Sequence, residues 1–446
     1  MITPERRSCT WIEPSFLVQK LVETWGEEGL IWLDGDGSKL GRWSIIGIDP
    51  INHIFCDGLP SNANSTNPFE ELNHLEPGHW TGWLSYEAGA WLEPKNSWKS
   101  NAMALLWMVQ HDPILKLDLQ LQQLWLEGCN RARLNHFDGW LKRISQENHG
   151  HHSHKHKFSS EPVIRIPLSN WKWLTSRDEY TSNVKQVQNL IAKGDIFQAN
   201  LTACCTASVP KEKIALDIFM RLRAQNPAPF AGVVIGKGKA HGQAVISCSP
   251  ERFLKALPTG EIETRPIKGT RPRHINPIKD ADLVSDLICS PKDRAENIMI
   301  VDLLRNDLGK VCQPGSIVVP QLVALESYSQ VHHLTSVIQG SLAQNQTWVD
   351  LLKACWPGGS ITGAPKLRAC ERLNELEPTS RGPYCGSLLH LDWDGRFDSS
   401  IVIRSLILEG KTLKAHAGCG IVADSCPQQE AEELNWKIMP LLKAIE

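Results

Sequence analysis

Leu30-Ile31-Trp32-Leu33 runs into Asp34-Gly35-Asp36-Gly37 and then into Trp43-Ser44-Ile45-Ile46-Gly47. An apolar run, a turn-rich tetrapeptide and a second apolar run predict neighbouring strands joined by a tight turn, because Gly and Asp adopt turn angles at little cost. The same rhythm, short apolar runs broken by Gly, Asp and Asn, holds as far as residue 147. Further on, helix and strand signals mix. Residues 178–191 carry a helical apolar spacing that stops near Gly194, and 231–255 with 261–267 read as a strand hairpin turning at Pro258-Thr259-Gly260. Sheet with separate helices is the α+β class.

Eleven of the 17 tryptophans lie at or before Trp140. After them the stretch 148–160, NHGHHSHKHKFSS, has no hydrophobic period and reads as a linker. The expected division is therefore 1–147, a His-rich linker at 148–160, and 161–446. His149, His151, His152, His154 and His156 are also of the type that chelates transition ions, but no second ligand cluster accompanies them in the sequence.

The 446 residues, 41% hydrophobic and 22% charged, suffice for a large core. Lys plus Arg is 47 and Asp plus Glu is 49, a formal charge of −2, so the broad positive field that nucleic acid or an anionic membrane requires is absent. An anionic substrate must be caught by local charge or a metal. No window approaches the ~18 apolar residues of a membrane span, and Met1 to Arg7 lead into no apolar signal core. A cytoplasmic chain with no membrane association and no transit peptide is expected. Thirteen scattered cysteines without a C-x-x-C pair fit a reducing compartment, most acting as small buried hydrophobes.

Two helix starts place carboxylates on one face. Ser290 is a candidate N-cap, Pro291 suits the first turn, and Asp293 stands where a capping-box acid would, three residues before Glu296. The stretch 424–433 repeats the scheme, with a cap and proline before Glu430 and Glu433, and Lys437 one turn further. If the helices face each other, Glu296, Glu430 and Glu433 form an all-oxygen magnesium site. On spacing alone, two solvated acidic helix starts are the plainer reading. Residues 360–366, SITGAPK, open a helix running to Glu375 and offer free N–H groups to a carboxylate, or are a plain junction. Gly418-Cys419-Gly420 reads as an anion nest or a simple turn. Lys268 closes the predicted 261–267 strand. As a nucleophile its amine must be neutral, which desolvation or a cationic neighbour such as Arg265 favours; an exposed lysine is the plainer reading.

In order, the chain carries GDIFQANL (194–201), SPERF (249–253), ETRPIKGT (263–270), KDRAEN (292–297), PGGSITGAPK (357–366) and GIVADS (420–425). This series resembles the chorismate-utilising family, which includes anthranilate synthase component I, aminodeoxychorismate synthase component I, isochorismate synthase and salicylate synthase. The likeness covers about 171–437, and more loosely Leu33-Asp34 and Gly41–Ile45. It implies a large composite sandwich of antiparallel sheets flanked by helices. It also implies that Glu296, Glu430 and Glu433 hold magnesium, with Asp293 a further candidate. Arg404 and Tyr384 would hold the enolpyruvyl carboxylate of chorismate, and Gly418, Gly420, Lys437 and Thr362 make the other substrate contacts.

Two positions sort the subfamilies by resemblance. Isochorismate and salicylate synthases place a water-activating lysine where Gln198 stands. Anthranilate synthases usually have alanine where this chain has Lys268, and P-I-K-G-T marks aminodeoxychorismate synthases. The implied catalytic set is Lys268 as nucleophile, Glu251 as general acid and His333 orienting ring substituents, unless His333 is a core histidine. The implied product is 4-amino-4-deoxychorismate, toward para-aminobenzoate and folate. The alternatives are anthranilate synthase component I and a catalytically idle scaffold. With neither a Gly-x-Cys-x-Gly elbow nor a matching His-x-Glu, a separate glutamine amidotransferase subunit is the expected ammonia source. The chain departs from the family at Leu389-His390, commonly Gly-Tyr, at Leu434, and at Trp436. Its N-terminal region also lacks the Leu-Glu-Ser that anthranilate synthases use to bind inhibitory tryptophan.

Overall fold

The opening motif folds as read: strand Ile31–Asp34 pairs antiparallel with Trp43–Gly47, Trp32 opposite Ile46 and Leu33 opposite Ile45. A computed structural model describes residues 3–149, 165–209, 214–328 and 331–446. Within them two antiparallel sheets of twelve and ten strands are packed face to face. Trp83 and Trp107, stacked at 5.0 Å, meet Ile31, Ile45, Val234, Val245 and Ile407 between the sheets. Burial of each such aliphatic side chain contributes about 1.5–3 kcal/mol. Helices Pro14–Trp25, Arg177–Ala192, Ala215–Gln225 and Pro427–Ala444 cover the outer face of the larger sheet, and Pro291–Gly309 and Trp348–Cys355 that of the smaller. The class is α+β, as expected.

Strands from both sides of the His-rich stretch share each sheet. Ile31–Asp34 pairs with Phe230–Ile235 in the larger, and His79–Leu84 pairs with Ser387–Leu391 in the smaller. Of 148–160 only the last residues of helix Arg131–His149 are described, so the proposed linker lies almost wholly outside the described residues. All thirteen cysteines are free and nine are buried, consistent with their use as small hydrophobes. Among the described residues, no helix is long and apolar enough to cross a membrane.

Several local expectations need correction. Residues 231–255 form three strands, Phe230–Ile235, Gln243–Ser249 and Arg252–Ala256, and the break at Pro250-Glu251 carries the chain from one sheet to the other. Only Arg252–Ala256 makes the expected hairpin, with Glu261–Thr264. Lys268 does not end that strand: Pro266, which lacks a ladder donor, separates it, and Lys268 is the second residue of strand Ile267–Pro272. Gly418 and Gly420 are not in a turn but inside strand Thr412–Ile421, opposite Thr202 and Asn200.

The helix starts also differ in detail. The Asp293 N–H donates to the Ser290 hydroxyl (3.2 Å), but the Asp293 carboxylate accepts from Arg271 (3.2 Å), so only half a capping box forms. Helix Pro427–Ala444 starts after Cys426, and no side chain caps it. Its nearby serine, Ser425, instead donates to Glu430 at 2.7 Å.

Candidate active site

Strands Gln198–Ser208 and Thr412–Ile421 run side by side and present Gln198 and Gly420 at one end. The 359–365 loop closes over that end through pairs Gln198↔Ala364 and Ala199↔Gly363 and the Asn200 N–H donating to the Thr362 carbonyl at 2.7 Å. A Cβ placed on Gly420 would stand 2.5 Å from Gln198 Nε2, 3.4 Å from Glu296 Oε2 and 3.5 Å from Lys268 Nζ. Three polar groups from three elements thus converge on a spot that only glycine leaves open.

Lys268 enters from the smaller sheet, half-buried, and its ammonium donates to the Ser360 carbonyl at 3.1 Å. Gly269, at φ +83°, lies where a Cβ would come 3.0 Å from Asp293, so the K-G-T turn of backbone needs glycine for both angle and space. Arg265 is not the cationic neighbour of Lys268 that the sequence suggested. It is ion-paired with Glu326 at 2.5 Å and Glu263 at 3.9 Å. Glu251 is buried beside Lys268. Burial pushes its carboxyl up to about 7, against the Ser360 hydroxyl, the Lys268 charge and the Ile267 N–H.

His333 pairs across the ladder with Thr270, and its Nδ1 lies 2.9 Å from the Thr270 hydroxyl. Its Nε2 is buried without a partner, and burial first, then the Arg404 charge, pull the ring down to about 3. The ring is therefore neutral, and it is not the satisfied core histidine of the plainer reading. Arg404 sits at φ +53°, an unusual angle for a non-glycine residue. Its guanidinium makes no hydrogen bond or ion pair among the described residues. Burial draws it below its ordinary value despite the nearby Tyr384 and Glu433. A desolvated, unpaired guanidinium is a seat for an anion. Tyr384 stacks on His416 at 4.9 Å between ring centroids.

The carboxylates gather around a lysine. Ligand oxygens of Glu430 and Glu433 lie within 4.8 Å of each other, with Cys419 Sγ in the same group. Glu296 stands outside that group, yet the Lys292 charge acts on all three, and Lys292 Nζ is 3.0 Å from Glu430. Burial raises Glu296, opposed by Lys268 and Lys292. Burial also acts to raise Glu433, but Lys437 at 2.7 Å holds it below the usual carboxylate range. Lys437 donates as well to the Gly418 carbonyl at 2.9 Å. Thr362 is engaged within the protein: its hydroxyl donates to Gly358 O at 2.9 Å, and its carbonyl accepts from the Asn200 N–H.

Two side chains were missed in the sequence. Lys292 is four residues before Glu296, a spacing that signalled their shared face. Arg381 is buried and donates to Asn200 O (2.7 Å), Ile361 O (2.8 Å) and Glu377 (2.6 Å), tying the strand and the loop over it together. Nothing local marks it out.

A sandwich of two antiparallel sheets thus gathers helix carboxylates, an unpaired arginine and a lysine–glutamate couple near one end of a strand pair. The chain belongs to the family of chorismate binding enzymes, whose model matches residues 31–443. It is 37% identical over 436 residues, 92% of this chain and 84% of the relative, to an "anthranilate synthase component I-like protein" of Synechocystis sp.. It is 45% identical over 278 residues to "aminodeoxychorismate synthase component 1" of Klebsiella aerogenes, a match spanning 62% of this chain and 60% of that relative. The crystal structure of anthranilate synthase component I from Streptococcus pneumoniae superposes with a TM-score of 0.74 at 25% identity, covering 91% of this chain and 93% of that one.

Proposed function

We propose that this chain aminates chorismate to 4-amino-4-deoxychorismate, using ammonia delivered by a separate glutamine amidotransferase subunit. The observation that carries the reading is the couple of Lys268, held at the Gly420 floor, and the buried Glu251 behind it, whose carboxyl keeps its proton up to about 7. The curated relative of that name supports it.

Glu296, Glu430 and Glu433 suit magnesium in donor chemistry, all carboxylate oxygen. Bound there, magnesium would neutralise and anchor a substrate carboxylate. Arg404, unpaired and desolvated, takes the enolpyruvyl carboxylate beside Tyr384, and Lys437 with the Gly418–Gly420 backbone borders the ring carboxylate. With the ring held, the Lys268 ammonium first gives a proton to solvent, and the amine so freed adds to the ring. The new C–N bond forms as the ring C–O bond breaks, and Glu251 gives its proton to the departing hydroxyl, which leaves as water. Ammonia then attacks the carbon that lost the hydroxyl and displaces Lys268. A proton from the incoming nitrogen restores Glu251. His333, neutral with a free Nε2, would orient a ring substituent.

Anthranilate synthase component I is the second reading, supported by the name of the Synechocystis relative and the longer reach of that match. The family resemblance puts alanine, not lysine, at position 268 in that subfamily. Purified chain with chorismate, magnesium and ammonium chloride tests the proposal: consumption of chorismate is expected, and no turnover refutes it. Glutamine alone should support little turnover without the partner.

A further inference from the structure

Strand His79–Leu84 lies antiparallel to Ser387–Leu391, with His390 opposite Thr81 and Leu391 opposite Trp80. Continuing the register, Asp392 falls opposite His79. Side chains alternate along a strand, so His79, His390 and Asp392 share one face. Trp83 and Leu388, on the same face, belong to the packing between the two sheets, and the three polar residues end that apolar layer. His79 is fully buried, Asp392 is 7% exposed and His390 is half-buried.

The two imidazoles meet tip to tip, Nε2 to Nε2 at 3.0 Å, and one ligand atom from each of the three residues lies within 4.8 Å of the others. We propose that His79, His390 and Asp392 bind a divalent transition ion of the zinc class. Zinc–imidazole bonds are about 2.0–2.1 Å, so one ion can touch two nitrogens about 3 Å apart with little movement of either ring. The 3.0 Å contact is a hydrogen bond in which one Nε2 carries the proton, so an ion that takes both nitrogens must shift that proton to the ring's Nδ1 or release it. Asp392 is already fixed for the third bond: it accepts from the Trp393 N–H at 2.8 Å and from Lys116 Nζ at 3.1 Å, the kind of outer contacts that orient a ligand.

The site has an entrance. His390 and Asp392 line a cavity of ≈ 760 Å³ between the sheets, together with Lys116, Glu127, Trp393 and Arg396. That leaves room for a water as a fourth ligand. Two nitrogens and one oxygen select zinc, cobalt or nickel over magnesium, which wants oxygen throughout. The site is thus chemically separate from the Glu296, Glu430 and Glu433 group. Its ion would clip a strand of the N-terminal region to one near the C-terminus, so binding should stabilise the folded chain.

The histidines at 149, 151, 152, 154 and 156 would chelate the same ions, so every arm carries glutamine at those five positions in the full-length chain. After chelator treatment, cobalt(II) is added and followed by its visible absorption, and the thermal midpoint is measured with and without zinc. One bound cobalt per chain with low-symmetry bands, and a midpoint raised by zinc, are expected. Both should vanish in His79→Gln and in His390→Leu. Should His79→Gln fail to fold, His390→Leu at the cavity edge carries the test, its zinc-free midpoint serving as the folding control. No tight cobalt binding in the parent, or the same binding in folded His390→Leu, overturns the proposal.

Discussion

Lys292 holds its ammonium 3.0 Å from the Glu430 carboxylate, with Glu296 and Glu433 in the same electrostatic neighbourhood. A cation of this chain therefore stands among the groups proposed to hold magnesium, and the ion must displace it. Lys292→Met removes the competitor. Magnesium affinity measured by calorimetry without substrate should rise by about tenfold, equivalent to about 1.4 kcal/mol. Unchanged or weaker affinity would show that Lys292 does not compete.

Glu251 links pH to both stability and rate. Its folded carboxyl stands at about 7 against an ordinary 4.5, because burial disfavours the charge. A raised folded value means a proton held more tightly by the native chain. The resulting stability is complete below about 4.5 and is lost as pH rises through about 7. Glu251→Gln lacks this loss, so urea unfolding should show the variant gaining on the parent between pH 5 and pH 8, by up to about 3 kcal/mol. Its kcat should fall by about 10²–10⁴-fold. The parent rate should decline above about pH 7 as the acid loses its proton. Equal pH trends in both proteins would remove Glu251 from the acid role.

Arg381 is predicted to be structural. It is 3% exposed and shares its charge with Glu377, itself 6% exposed. Arg381→Met strands that carboxylate and frees the Asn200 and Ile361 carbonyls, so unfolding should cost about 3–5 kcal/mol less. A thermal midpoint within a degree or two of the parent's would contradict this.

Lys268→Ala should leave the fold intact, since the side chain is half-buried and its one hydrogen bond is to the Ser360 carbonyl. Ammonia-dependent turnover should drop by at least about 100-fold, near 2.7 kcal/mol of barrier, with circular dichroism unchanged. A variant as fast as the parent would rule out the covalent role.

Local chemistry was legible in the sequence where it is set by near neighbours. The Leu30–Gly47 strand pair, the Ser290 cap and the Glu433–Lys437 turn all depend on residues within one element or one turn. What escaped depends on distant partners. Gly418 is a strand residue because Thr202, more than 200 positions away, supplies the ladder. The pairing of Ile31–Asp34 with Phe230–Ile235, and of His79 with His390, likewise has no local signature. For the candidate site, the ordered motifs named nearly every residue that converges on Gly420. The lysine among the carboxylates, the unpaired Arg404 and the orphaned His333 Nε2 needed coordinates.

The most direct test identifies the product. Chorismate, magnesium and ammonium chloride are incubated with the purified chain, and the mixture is resolved by mass with pyruvate assayed in parallel. The account predicts 4-amino-4-deoxychorismate with its enolpyruvyl group intact and no pyruvate. Anthranilate accompanied by an equal amount of pyruvate would contradict it.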